Sequence, residues 1–155
     1  MLYKKYQLED CKMEIMIPSD YVYNEEQIKL SPHVWSKKQE GAKISINIYD
    51  KDEPKEIVFK LQDYYLEYQQ LMKNFSCSHI LKKSIHGIEL GEMVYFSKSK
   101  RYKFLNYLLI GRVNNLEVIL NLQEVCTDLE RQEHVFLNVI DSIKRIEGGS
   151  AKDAD

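Results

Sequence analysis

A chain of 155 residues with 44% hydrophobic and 30% charged side chains has material for one packed core and too little length for two comfortable ones. Its 22 basic and 24 acidic residues leave a net charge of −2, which excludes a global field favouring nucleic acid or an anionic membrane. No apolar run is long enough to cross a bilayer, and Met-Leu-Tyr-Lys-Lys-Tyr at the start lacks the hydrophobic stretch of a signal peptide, so a cytoplasmic protein without membrane insertion is expected.

Along the chain, Met13, Ile15 and Ile17 alternate with Lys12, Glu14 and Met16 up to Pro18, which predicts a short strand of about five residues. Tyr21 to Gln27 reads as a polar connection. A second hairpin begins at Val34-Trp35, turns through Gln39-Glu40-Gly41 and returns as Ile44, Ile46 and Ile48, three isoleucines on one face. Asp50 to Pro54 is a loop into a helix over about residues 56–73, where Ile57, Leu61, Tyr64, Tyr65, Tyr68, Leu71, Met72 and Phe75 recur at helical steps. Strand is expected over Ser76 to Ser84 and again at Met93 to Phe96, before a basic turn from Lys98 to Arg101.

The strongest pattern follows. Asn114-Asn115 separates two apolar runs, and asparagine tolerates the positive φ of a two-residue type I′ turn. With that turn, Val113/Leu116, Gly111/Val118, Leu109/Leu120 and Tyr107/Leu122 make one apolar face. Arg112/Glu117, Ile110/Ile119, Leu108/Asn121 and Asn106/Gln123 make a mixed one, and a one-residue slip would exchange the two sets. A final helix over about residues 127–144 opens on the capping box Thr127-Asp-Leu-Glu130 and carries Val135, Phe136, Val139, Ile140 and Ile143 as a stripe. Lys144 and Arg145 suit its C-terminal end, and Gly148-Gly149 stops it. The expected organisation is one α+β domain over residues 1–147, an antiparallel sheet flanked by helices, with a flexible tail at 148–155.

The strand ending Ile-Met-Ile-Pro18-Ser-Asp-Tyr21, the tyrosine-rich middle helix and the closing Cys126-Thr-Asp with Val-Ile-Asp-Ser142-Ile-Lys resemble the PsbP-like superfamily over nearly the whole chain. That superfamily spans photosystem extrinsic proteins, a Ran-binding import factor, DcrB-type proteins and the Eag chaperones of type VI secretion. Tyr21 stands where its pattern usually carries a tryptophan. The resemblance implies a PsbP-like sandwich that binds and does not catalyse.

No P-loop, dinucleotide fingerprint or Gly-x-Ser-x-Gly is present. Cys11, Cys77 and Cys126, odd in number and widely spaced, argue against a disulfide framework and suit a reducing compartment. Cys77 and His79 would share a face of a regular strand with His86 nearby, but without a Cys-x-x-Cys or His-x-x-x-His partner no metal site is expected, and no cofactor. Glu130 and His134 read as a solvated helix pair. Cys126, near a helix start, is the one candidate nucleophile, with a small buried hydrophobe as the stronger reading. Lys98, Lys100, Arg101 and Lys103 among aromatics are a hairpin end before they are a nucleic-acid patch. The tyrosines at 64, 65 and 68 are packing before they are a recognition cage.

The expected function is therefore a non-enzymatic adaptor or chaperone, secretion-associated by the resemblance, with no catalytic residues. Its partner is another protein, such as an effector or toxin segment. With helices over the apolar face, the expected binding surface is the mixed face: Met93, Tyr95, Phe104, Asn106, Leu108, Ile110, Ile119, Asn121 and Gln123, apolar anchors ringed by amides. A further helix or a homodimer covering this face is the bland alternative. An immunity protein blocking a toxin, and an unrecognised thiol or hydrolytic enzyme, are the other readings.

Overall fold

The computed structural model describes residues 1–25, 33–38, 41–50 and 55–146. Tyr3–Leu8 (β1) and Met13–Pro18 (β2) pair antiparallel. Sequence alone places no strand before Met13, because Tyr3-Lys-Lys-Tyr does not alternate; β1 forms as an edge whose Tyr3, Tyr6 and Leu8 turn inward against the core. Val22–Tyr23 (β3) lies inside the expected polar connection and pairs with His33–Ser36 (β4). β4 pairs with Lys43–Asp50 (β5), whose Ile44 and Ile46 are fully buried on the face expected for them. Residues 39–40 of the expected turn, and 51–54 of the expected loop, lie outside the described residues.

Ile57–Leu71 (α1) is the predicted middle helix. Ser76–Ile85 (β6), Ile88–Lys98 (β7), Lys103–Val113 (β8) and Leu116–Val125 (β9) then form the expected meander. Asn114 and Asn115 take φ of 50° and 65°, and the ladder on either side pairs Val113 with Leu116 out to Asn106 with Gln123, the register read from the turn. Arg112 stands opposite Glu117 as expected, yet Glu117 pairs with Lys60 of α1 and Arg112 with the Lys55 carbonyl just before that helix.

Leu129–Asp141 (α2) starts one residue later than the capping box implies. Asp128 is the N-cap, accepting from Arg131 N at 3.4 Å, while Gln132 Oε1 accepts from Thr127 N and Asp128 N at 3.2 and 3.3 Å. Gln132 displaces Glu130 from this role because it is buried and also donates to Glu124 and the Val125 carbonyl. The helix ends at Asp141 rather than about residue 144. Ser142 Oγ accepts from Met16 N at 2.9 Å, and Lys144–Arg145 (β10) pairs with β2, so these cations extend a sheet and do not serve a helix terminus. Gly148-Gly149 lie outside the described residues.

The strands sort into a three-stranded sheet, β1-β2-β10, and a seven-stranded sheet, β3-β4-β5-β9-β8-β7-β6. α2 and the small sheet cover one face of the large sheet, joined by Met13, Ile15, Ile17, Phe136, Val139 and Ile140 in a single core with Tyr107, Leu109, Leu120 and Leu122. This is the face expected to be apolar throughout. Tyr21 and Lys37 bond to buried Glu124, which also takes Gln132, so one carboxylate links β9, α2 and the segments after β2 and β4.

Candidate protein-binding surface

The opposite face of the large sheet begins with a glycine. A Cβ at Gly91 on β7 would meet Ile57 Cγ2 at 2.3 Å and Leu61 Cδ1 at 2.7 Å, so the missing side chain lets α1 lie directly on the strand. Ile57 and Leu61 pack there with Met93, Tyr95, Leu108, Ile110 and Ile119 in a second core, bordered by Tyr64, Tyr65, Tyr68, Met72 and Phe75. The tyrosines are packing, as expected: the Tyr68 and Tyr95 rings stand 5.4 Å apart, as do Phe75 and Tyr95. Lys60 Nζ reaches both carboxylate oxygens of Glu117, at 2.6 and 2.8 Å, and the Arg112 guanidinium donates to the Lys55 carbonyl. A cavity of about 270 Å³ beside this ion pair is lined in part by Asp63, Tyr64 and Ile110.

This corrects the expected surface. Met93 and Ile110 are 0% exposed, Leu108 1%, and Tyr95 and Ile119 7%, so these five are core and not accessible anchors. The reason is physical. α1 carries its own apolar stripe, and the apolar half of the mixed face is where that stripe is buried.

Phe104, Asn106, Asn121 and Gln123 lie beyond the helix. α1 rests on β6, β7 and β8, whereas Asn121 and Gln123 sit on β9 opposite Ser45 and Lys43 of β5. Gln123 Nε2 donates to the Gly41 carbonyl at 3.0 Å, and the Phe104 ring fills the space where a Gly41 Cβ would stand. Asn106, also expected on the binding surface, is 4% exposed and donates to Ser97 Oγ at 3.0 Å, so it too is interior and not an accessible contact. Asn121 is half-buried, and its amide forms no hydrogen bond among the described residues. One pairing step along β5, Asn47 donates to the Tyr49 hydroxyl at 3.3 Å, while its buried Oδ1 has no partner among the described residues. The strip is thus an amide row in which Asn121 is half-buried and open to a partner, whereas the Asn47 oxygen is enclosed.

The chemical candidates do not assemble. A register shift between Cys77 and His79 puts Cys77 opposite Tyr95 on the α1 face and His79 opposite Val94 on the other, overriding the shared face of a regular strand. His79 Nε2 pairs with buried Glu92 at 3.0 Å, and His86 Nδ1 meets the Ile143 carbonyl at 2.9 Å. Among the described residues no three His, Cys, Asp or Glu side chains cluster as a metal site. Burial pushes the Cys126 and Cys77 thiols up and takes Cys11 to about 12, the direction opposite to that of an activated nucleophile. Glu130 and His134 lie exposed on the outer side of α2. Sequence reasoning missed a polar chain in which buried His33 links Asp10, at 2.8 Å, to the Tyr23 hydroxyl, at 2.9 Å. Its members come from a turn and two strands, and nothing local announces them.

No known family profile matches the chain, and no curated protein matches it in sequence. Solved structures do match in shape. The cyanobacterial PsbP protein CyanoP of Synechocystis sp. PCC 6803 superposes with a TM-score of 0.67 at 9% identity, over 92% of each chain. The Ran-binding protein Mog1p of Saccharomyces cerevisiae gives 0.65 at 8% identity, over 95% of this chain and 97% of its own. A Pseudomonas aeruginosa protein of unknown function gives 0.56 at 11% identity. At such identities likeness establishes the fold alone. The chain has a PsbP-like α+β fold, antiparallel sheets flanked by two helices.

Proposed function

We propose that this chain is a non-enzymatic protein-binding module, an adaptor or chaperone that holds a segment of a partner protein along the amide strip beside α1. The observation that carries this reading is the half-buried amide of Asn121, which forms no hydrogen bond among the described residues and stands on β9 in the same row as Gln123. An accessible amide of this kind can both donate to and accept from a partner's backbone, each such hydrogen bond contributing about 0.5–1.5 kcal/mol net. Phe104 supplies an apolar contact at one end, and Gln123 and Asn121 supply the polar specificity. The raised thiols support the non-enzymatic reading. That Mog1p is Ran-binding supports a protein partner in kind and not in identity.

The test replaces Asn121 and Gln123 with Ala together and compares partner capture from the native host with thermal stability. Loss of a partner that the unaltered protein retains, with the unfolding midpoint kept, supports the strip. Undiminished capture refutes it. The recovered protein also separates the roles, since a secreted effector fits a chaperone, a toxin fits an immunity protein, and a second copy of the chain fits a homodimer.

A further inference from the structure

We propose that the tip of the β7–β8 hairpin is a second docking site, for a short acidic segment of another protein; it does not depend on the amide strip. Lys98 and Lys103 face each other in the ladder, and Lys100 and Arg101 occupy the turn between them. Like charges directly opposite one another destabilise a strand pair, and a turn could carry serine or asparagine instead at no cost. None of these four exposed cations has an acidic partner among the described residues; the same is true of the scattered Lys4, Lys43 and Lys73, and what sets the tip apart is that four such cations stand together within six residues.

The tip is also braced. Ser99 N donates to the Tyr102 carbonyl at 2.8 Å, and Ser99 Oγ accepts from Tyr102 N and Arg101 N at 3.1 and 3.4 Å. Lys103 Nζ stands 4.7 Å from the centre of the Phe96 ring, which restrains that ammonium as well. A partner therefore meets cations presented on an ordered turn, with part of the ordering entropy already spent.

Charge complementarity selects anions, and the surroundings select among them. Cys126 N donates to the Lys103 carbonyl at 2.8 Å, so α2 begins close beside the tip, with exposed Asp128 and Glu130 in its opening residues. A nucleic acid needs a track of cations along its backbone, and here the track ends at acids. Residues 98–103 hold no large aliphatic side chain to enter a lipid surface, and their one aromatic, Tyr102, is half-buried with its ring edge-on to Phe104 at 6.3 Å; a basic patch without a free anchor holds a membrane weakly. A short run of Asp or Glu matches the size of the patch.

The experiment measures binding of a labelled oligoglutamate peptide to the full chain at low salt, beside an oligothymidylate of equal charge and vesicles of phosphatidylcholine with phosphatidylserine. The peptide is expected to bind, to weaken with added salt, and to lose about tenfold or more in affinity with Lys100→Glu and Arg101→Glu together. The pair Lys4→Glu and Lys5→Glu makes the same change in net charge on exposed β1 positions and should leave affinity within about twofold. Both positions of the tip pair are exposed, and a Gln version that retains the fold without reversing charge should fall between the two. Absence of peptide binding, equal loss in the two pairs, or tighter binding of the oligothymidylate or the vesicles would each overturn the proposal.

Discussion

Ile110 and Ile119 face each other across the β8–β9 ladder beneath α1, both inside the core. Replacing them together with Ser removes two buried side chains, at a cost of about 2–5 kcal/mol each. Denaturant unfolding should show that loss as a lower midpoint; an unchanged midpoint would contradict the burial. The thiols give a second check. Cys11, held protonated, should not react with a disulfide reagent until the protein unfolds, and Cys77 and Cys126 should react more slowly than a free thiol. Glu14 gives a third. The Gln7 amide, and then Lys144, hold its carboxyl below the usual carboxylate range. The unfolded chain therefore takes up the proton first as pH falls, and the stability this carboxylate contributes is present above its unfolded pKa and lost through the acid range. Relative to the unaltered protein, Glu14→Gln should be less stable at neutral pH, with the difference closing on acidification.

At the scale of elements, the β8–β9 turn is the part of the chain best encoded locally. Both asparagines hold positive φ, so alanine at either should cost about 1 kcal/mol. Asn114→Ala should cost more than Asn115→Ala, because Asn114 Nδ2 also donates to the Cys11 carbonyl at 3.2 Å and so ties this turn to the β1–β2 turn. Gly91→Val tests the seat of α1: a side chain there must push Ile57 and Leu61 away, with an expected loss of about 1–3 kcal/mol in thermal unfolding. α1, the hairpin and the stripe of α2 were readable because spacing and turn chemistry are short-range. The cap of α2 was readable only to within a residue, since Gln132 gains its role from the buried Glu124 of another element.

Across the whole molecule, the amide strip was legible in part. Asn106, Asn121 and Gln123 stand where the hairpin register puts them, and Phe104, expected on the neighbouring strand, extends the hairpin itself opposite Val125; the apolar members of the same face lie under a helix. Both faces of the large sheet have apolar stretches, and two helices each carry a matching stripe. Local pattern shows that each stripe must be buried and is silent on which face receives it. The deciding contacts are distant along the chain: Lys60 with Glu117 spans 57 positions, and Tyr21 with Glu124 spans 103. The same holds for β1 and β10, short edges that exist because β2 offers them a ladder. By itself, then, the amino-acid order determined where the two helices and the long strands run, the register of the central hairpin and the α+β class, because those rest on side-chain alternation, helical spacing and the φ tolerance of asparagine. Only the tertiary structure decided what α1 covers, and with it which side chains of the mixed face stay within reach of a partner, because burial is settled by whichever distant surface fits.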